Sequence, residues 1–331
     1  MERRTFFGRS LAGGALLGGA VGMSGSYPAH AAQSNHKWLD DNLMIERDQP
    51  GKPYKGKVFA AIQAHADDIP IFAGGLTAKL IAEGYKGYLI NTSNDDHCGP
   101  GTVGDACMAN ERDWQAVADA FGLEKIICLG YRNHRMEDID VIELKARLIF
   151  LFRAWKVDTV ISFDPWGHYE ENPDHYMTAE AVESACWMAG GGRDYPEQRK
   201  GGINPHGVRE KYYYARGTQY VNCVVDISNH IDAHIRSNMA NKAQGPAGNH
   251  GIRLRERLAK ENKKLPILGT DDDTANYQYI KQFLMEDEKA LGKQFGFEYA
   301  QAFHYIGSRH KPVNYTPTMQ DYTRDNAVSL H

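Results

Sequence analysis

From Lys57 onward the chain alternates short apolar runs with stretches of helical periodicity. The runs KVFAAIQ (57–63), GYLINT (87–92), KIICLG (125–130) and DTVISF (158–163) are short, β-branched and bounded by turn residues, as buried strands are. Between them the spacing predicts helices near 70–83, 110–121 and 139–155, with a further helix over 176–188. The third of these has apolar positions at Ile142, Leu144, Leu148, Leu151 and Phe152. KYYYAR (211–216) and NCVVDI (222–227) read as two more strands, followed by helices near 229–242, 252–263 and 275–293. Alternation of this kind implies βαβ units, hence an α/β fold with a mostly parallel sheet between two helical layers. No repeat or sharp linker interrupts 55–308, which reads as one domain. Residues 32–54 read as a linker and the polar, aperiodic stretch 309–331 as a tail.

The N-terminus departs from this pattern. MERRTFFGRS gives way to LAGGALLGGAVGM and then to the small-residue site Ala29-His30-Ala31, the layout of an export signal over residues 1–31. Leu11 to Met23 is too short and glycine-rich for a comfortable membrane span. Arg3-Arg4 before Thr5-Phe6-Phe7 is similar to a twin-arginine signal, which implies recognition by that export machinery and a periplasmic or extracellular destination. Loss of residues 1–31 removes a net +2, taking the formal charge of the 331-residue chain from −4 to −6. A mildly acidic chain with 24% charged and 42% hydrophobic residues argues against nucleic-acid binding, disorder and a multi-span membrane protein. Of five cysteines, Cys98 and Cys107 flank a glycine-rich loop that a disulfide could close, the alternative being that all five stay reduced.

In open α/β sheets the ligand site lies beyond the carboxyl ends of the strands. There the sequence places four loops rich in metal-ligating and acid–base side chains: 64–70, 93–97, 131–135 and 164–175. His65 and Asp68, three residues apart in a turn, can converge on one ion, and His175 from another strand end supplies a third ligand. Two histidines and a carboxylate with an open position suit one catalytic Zn²⁺, and Fe²⁺, Co²⁺ or Ni²⁺ would accept the same set. Asp67 is left free to take a proton from water. The competing reading is that Asp67 or Asp68 merely caps a helix starting at Pro70. A nucleotide-binding reading lacks the G-x-G-x-x-G it needs after the first strand.

The sequence Ala64-His65-Ala66-Asp67-Asp68-Ile69 resembles the A-H-P-D-D-E motif of the PIG-L/LmbE-like zinc N-deacetylases, and Asn172-Pro173-Asp174-His175 resembles their H-P-D-H. The resemblance runs from about Lys57 to Ile306, and Tyr299-Ala300-Gln301-Ala302-Phe303 is similar to the family's closing A-E-A-F strand. It implies an LmbE-like, Rossmann-like three-layer fold and hydrolysis of N-acetyl groups on amino sugars or glycoconjugates. By position it implies His65, Asp68 and His175 as zinc ligands, Asp67 as general base and Asp174 as a group orienting a ligand. The departures are Ala66 for proline, Ile69 for glutamate and Asn172 for histidine. Asn172 can donate a hydrogen bond to an oxyanion but cannot transfer a proton. His168 and Tyr169, or Asp67 itself, are the candidates to protonate the leaving amine. Asp96, His97, Arg112, Asn133, His134 and Arg135 are the candidate substrate contacts, with Asp95-Asp96-His97 read as a substrate-facing or solvated loop. An exported carbohydrate-binding protein that keeps the ion without catalysis is the alternative.

Overall fold

The computed structural model describes residues 37–244, 248–311 and 316–329, so the expected export segment at 1–31 lies outside the described residues. The predicted strands form as β2 (Val58–Gln63), β3 (Lys86–Ser93), β4 (Lys125–Tyr131), β5 (Thr159–Phe163), β6 (Glu210–Tyr214) and β7 (Gln219–Asp226), joined by β8 (Ala300–Ile306). Every residue of β2 and β5 is buried, which is why both lack any polar alternation. With β1 (Lys37–Glu46) at one edge, the sheet has the order β1-β7-β8-β6-β5-β2-β3-β4 and is parallel throughout except for β8, which runs antiparallel to β6 and β7. Its helices are α1 (Asp68–Phe72), α2 (Gly74–Ala82), α3 (Val103–Phe121), α4 (Val141–Trp155), α5 (Pro173–Ala189), α6 (Pro196–Lys200), α7 (Ile231–Ala240), α8 (His250–Lys260), α9 (Asp272–Phe283), α10 (Glu286–Phe295) and α11 (Met319–Asn326). Two apolar clusters fill the space between layers, one built around Phe59, Leu76, Tyr212 and Phe303, the other around Leu148, Phe152, Val182 and Tyr213. No helix among the described residues is long and apolar enough to cross a membrane.

The segment expected as a linker instead supplies β1 (Lys37–Glu46), which pairs in parallel with β7 at the sheet edge. Asp40-Asp41-Asn42 breaks its apolar alternation, and the register shifts between Leu39 and Met44, so no periodic signal survives. The expected tail is also partly structural. Arg309 reaches Glu46 at 3.1 Å and Glu210 at 3.0 Å, beside the Tyr212 hydroxyl, while Lys79 faces Glu46 from α2. One buried charge network thus ties β1, α2, β6 and the chain after β8 together.

The helix expected over 70–83 is broken at Ala73, where φ is −142°. Gly74 follows because a Cβ there would lie 2.6 Å from the ring of His234, so α7 packs directly on the α2 backbone. The stretch expected as one helix over 275–293 is likewise two, α9 and α10, parted at Leu284 and Met285. Helix α3 begins earlier than the apolar spacing suggested, because Thr102 and Asp105 form a reciprocal capping box.

His234 is fully buried and neither ring nitrogen has a well-formed hydrogen bond. Burial lowers its pKa to about 4, against 6.5 for an ordinary histidine. The unfolded chain therefore binds a proton between these values that the folded chain refuses. Stability should fall as the pH drops from about 6.5 toward 4, by up to about 3 kcal/mol from this group. Urea unfolding of the parent and of His234→Gln across that window checks it, the variant showing a shallower pH slope.

Candidate metal-dependent active site

The chain leaves β2 for β3 and β4 on one side and returns to β5 on the other. The carboxyl ends of β2 and β5 therefore flank the reversal of strand order, the place where open sheets hold ligands. From β2 comes the turn Ala64–Asp68, and from β5 the loop Asp164–Asn172 that leads into α5.

These two segments bring His65, Asp68 and His175 together, with one ligand atom from each inside a 4.8 Å group, all three buried. His65 Nδ1 faces His175 Nε2 at 2.9 Å, and His175 Nε2 lies 3.4 Å from an oxygen of Asp68. The other Asp68 oxygen accepts the backbone N–H groups of Ala64 and His65, at 3.0 and 2.8 Å, which fixes the turn. Two imidazole nitrogens turned toward each other beside a buried carboxylate fit a divalent transition ion such as zinc. His65 Nε2 meets Asp174 at 3.0 Å, the carboxylate–histidine arrangement that leaves the other nitrogen for a metal.

Charge follows from burial and partners. Burial alone would lower the pKa of His65, but Asp174, Asp68, Asp95 and Asp67 outweigh it and raise it to about 9. Burial raises Asp68 and, with weaker opposition from its partners, lowers His175 to about 4, the neutral form a metal needs. Asp67 stands where it would cap α1, yet its side chain makes no capping hydrogen bond. Its pKa is raised chiefly by burial.

Glu170 and Arg216 complete the arrangement, and neither was singled out from the sequence. Glu170 lies 3.1 Å from His175 Nδ1, an ion-pair separation whose angle falls short of a hydrogen bond. Glu170 also accepts the backbone N–H of Asn172 at 2.9 Å and is gripped by Arg216 through two contacts. Burial opposes its ionisation, but His175 and Arg216 hold its pKa at about 2. Phe163 stacks on the His175 ring at 4.0 Å and fixes its plane. The acidic run Glu170-Glu171 gave no sign of which carboxylate turns inward.

The remaining candidates fall in several places. Asn172 uses its Oδ1 to cap α5, accepting from Asp174 N at 3.0 Å, which leaves only its amide N–H groups for a ligand. It lines an open cleft of about 280 Å³ with His134, Glu171, Pro173 and Arg216. Asp96 is not solvated: it is buried, accepting from Asn133 N at 3.0 Å and pairing with Arg132 at 2.8 Å. Asp95 is also buried and accepts from Ala66 N and the Trp114 indole, both at 3.1 Å, so it braces the His65 turn. Asn133 is fully buried as well. Arg112 stands exposed on α3, and Arg135 is exposed and spent on Asp138 at 2.7 Å. The exposed residue of that loop at the site is His134, edge-on to His65 at 6.2 Å and stacked with His97 at 5.8 Å. His168 packs its ring on Trp38 of β1 at 5.2 Å, and Tyr169 is 90% exposed. All five cysteines, Cys98 and Cys107 included, are free thiols.

Residues 60–186 match the sequence model of the PIG-L family, described as GlcNAc-PI de-N-acetylase. The chain is 26% identical over 193 residues to a diacetylchitobiose deacetylase of Thermococcus kodakarensis, covering 57% of this chain and 71% of that one. The fold is similar to that of N,N'-diacetylchitobiose deacetylase from Pyrococcus horikoshii, with TM-score 0.61 and 20% identity over 80% of this chain and 91% of that one. It is also similar to GalB, a 4-carboxy-2-hydroxymuconate hydratase from Pseudomonas putida, with TM-score 0.54 and 15% identity over 77% and 98% of the two chains.

Glu170 acts on the site through His175, so Glu170→Gln should weaken zinc binding by about 10–100-fold. Competition against a chromogenic chelator reads this directly, and an unchanged affinity would remove Glu170 from the site.

Proposed function

We propose, for a chain whose residues 60–186 match the PIG-L family model, that this protein is a metal-dependent hydrolase. It would remove an N-acetyl group from an amino sugar or glycoconjugate and release acetate and a free amine. The observation that carries this reading is the buried convergence of His65, Asp68 and His175, with the uncapped Asp67 beside them, at the reversal of strand order. The diacetylchitobiose deacetylase similarity supports the substrate class.

His65, Asp68 and His175 would hold the ion, which supplies Lewis acidity toward the amide carbonyl and makes a nearby water more acidic. Asp67 takes the proton of the attacking water, a role that a carboxylate with a burial-raised pKa performs well near neutral pH. The Asn172 amide donates to the oxygen that becomes negative as the carbonyl carbon turns tetrahedral. His134 lines the same cleft and gives the departing amine a proton source in place of the histidine missing at position 172. This moves the donor role away from His168, whose ring is packed against Trp38. The twin-arginine-like N-terminus supports a substrate met outside the cytoplasm.

Zinc-loaded protein should release acetate from N,N'-diacetylchitobiose or another N-acetylated amino sugar. Asp67→Asn should lose at least about 100-fold in turnover with its metal content unchanged, which metal analysis verifies alongside the assay. Retained turnover would rule out this base. His134→Ala should lower kcat by about 100-fold with little change in KM; an unaltered kcat would return the donor role to Asp67. The absence of histidine at position 172 also favours a second reading, a carbohydrate-binding protein without turnover. Sugar binding with no acetate release would select it.

A further inference from the structure

The last four strands at one end of the sheet each carry a ring on one face. Tyr213 of β6 and His304 of β8 are register partners, as are Tyr220 of β7 and Trp38 of β1. Cross-strand partners share a face. The row is closed by ring contacts: Tyr213 to His304 at 6.3 Å and His304 to Tyr220 at 5.2 Å. Trp166, from the loop after β5, lies 5.4 Å from His304, and His168 lies 5.2 Å from Trp38. Trp38 and Trp166 remain 58% and 51% exposed, and Tyr220 37%. A cluster of half-exposed aromatic rings is costly to leave in water and marks a binding surface.

Its chemistry selects the occupant. The Tyr220 hydroxyl bonds to Asp40, and Asp164 accepts from His304 at 3.1 Å and Gln219 at 2.9 Å. These carboxylates are held by partners within the protein, and it is the ring faces that match a pyranose, whose own faces are apolar.

The surface is continuous with the cleft at the metal site. His168 donates its backbone N–H to Thr218 O at 2.8 Å, and a Cβ on Gly217 would lie 2.5 Å from His168 O. Arg216, in the same turn, grips Glu170 and lines the cleft with Asn172 and His134. One loop, 164–172, therefore carries Trp166 and His168 at the aromatic row and Glu171 and Asn172 at the cleft.

We propose that Trp38, Tyr220 and Trp166, with His168 and His304, form a saccharide platform for sugar units beyond the one whose acetamide is hydrolysed. The choice of sugar as ligand rests on the deacetylase reading, but the platform is tested without turnover.

The test is calorimetric titration of the full chain carrying Asp67→Asn with N-acetylglucosamine and with tetra-N-acetylchitotetraose. The tetrasaccharide should bind more tightly than the monosaccharide. Trp38→Ala and Trp166→Ala should each weaken tetrasaccharide binding about tenfold, the scale of a lost stacking partner. Trp187→Ala removes a tryptophan that is 80% exposed on α5 outside the row and should bind as the parent does. Equal tetrasaccharide affinity in parent, Trp38→Ala and Trp166→Ala would overturn the platform. So would a dimer in the parent that Trp38→Ala disperses with sugar affinity intact, which would give the face to a second copy of the chain. Acetate release by the chain with Asp67 intact is scored separately. Its absence with the tryptophan effects present overturns only the deacetylase reading, and its presence with no tryptophan effect overturns only the platform.

Discussion

One buried carboxylate holds the site in register. Asp174, in the first turn of α5, accepts from His65 Nε2 at 3.0 Å, from His134 N at 2.7 Å and from Met136 N at 3.3 Å. It thus joins the loop after β2, the loop after β4 and the helix that follows β5. Burial alone would favour its protonation, but these three donors outweigh that and lower its pKa. A buried carboxylate is tolerated only with such partners, and their geometry then has little freedom. The position of His65, and with it the metal group, depends on this carboxylate.

Around that point the site is built in two tiers of opposite charge logic. Burial lowers the pKa of His175, on whose ring Phe163 stacks, while His175 and Arg216 lower that of Glu170. Asp95 supports the turn from below through Ala66 N. Asp67 lies within this shell, its pKa raised chiefly by burial. The fold does not dictate that chemistry: a hydratase shares it. Function on this scaffold belongs to the loops at the strand ends.

The strands of the central sheet were legible because full burial demands short, uniformly apolar runs, and those runs survive in the sequence. The metal group was legible because two of its members lie three residues apart in one turn and the third heads a helix marked by Asn172-Pro173. β1 was not legible, since its pairing with β7 and the Arg309 network supply what its broken alternation lacks. Nor were Glu170 and Arg216, whose contacts depend on which of several neighbouring polar groups faces inward. His168 and Arg135 show the same point in reverse: chemically suitable residues that the fold commits to Trp38 and Asp138.

The sequence by itself determined the alternating α/β order, the strand ends at which polar loops gather, and His65, Asp68 and His175 as residues that can converge on one point. These are set by local periodicity and by short spacings, which few backbone torsions can disturb. Only the tertiary structure decided that Glu170 rather than Glu171 orients His175, that His134 rather than His168 borders the cleft, and that residues 37–46 complete the sheet. Each of these is a contact between segments tens to hundreds of residues apart, and its existence depends on packing that no local pattern encodes.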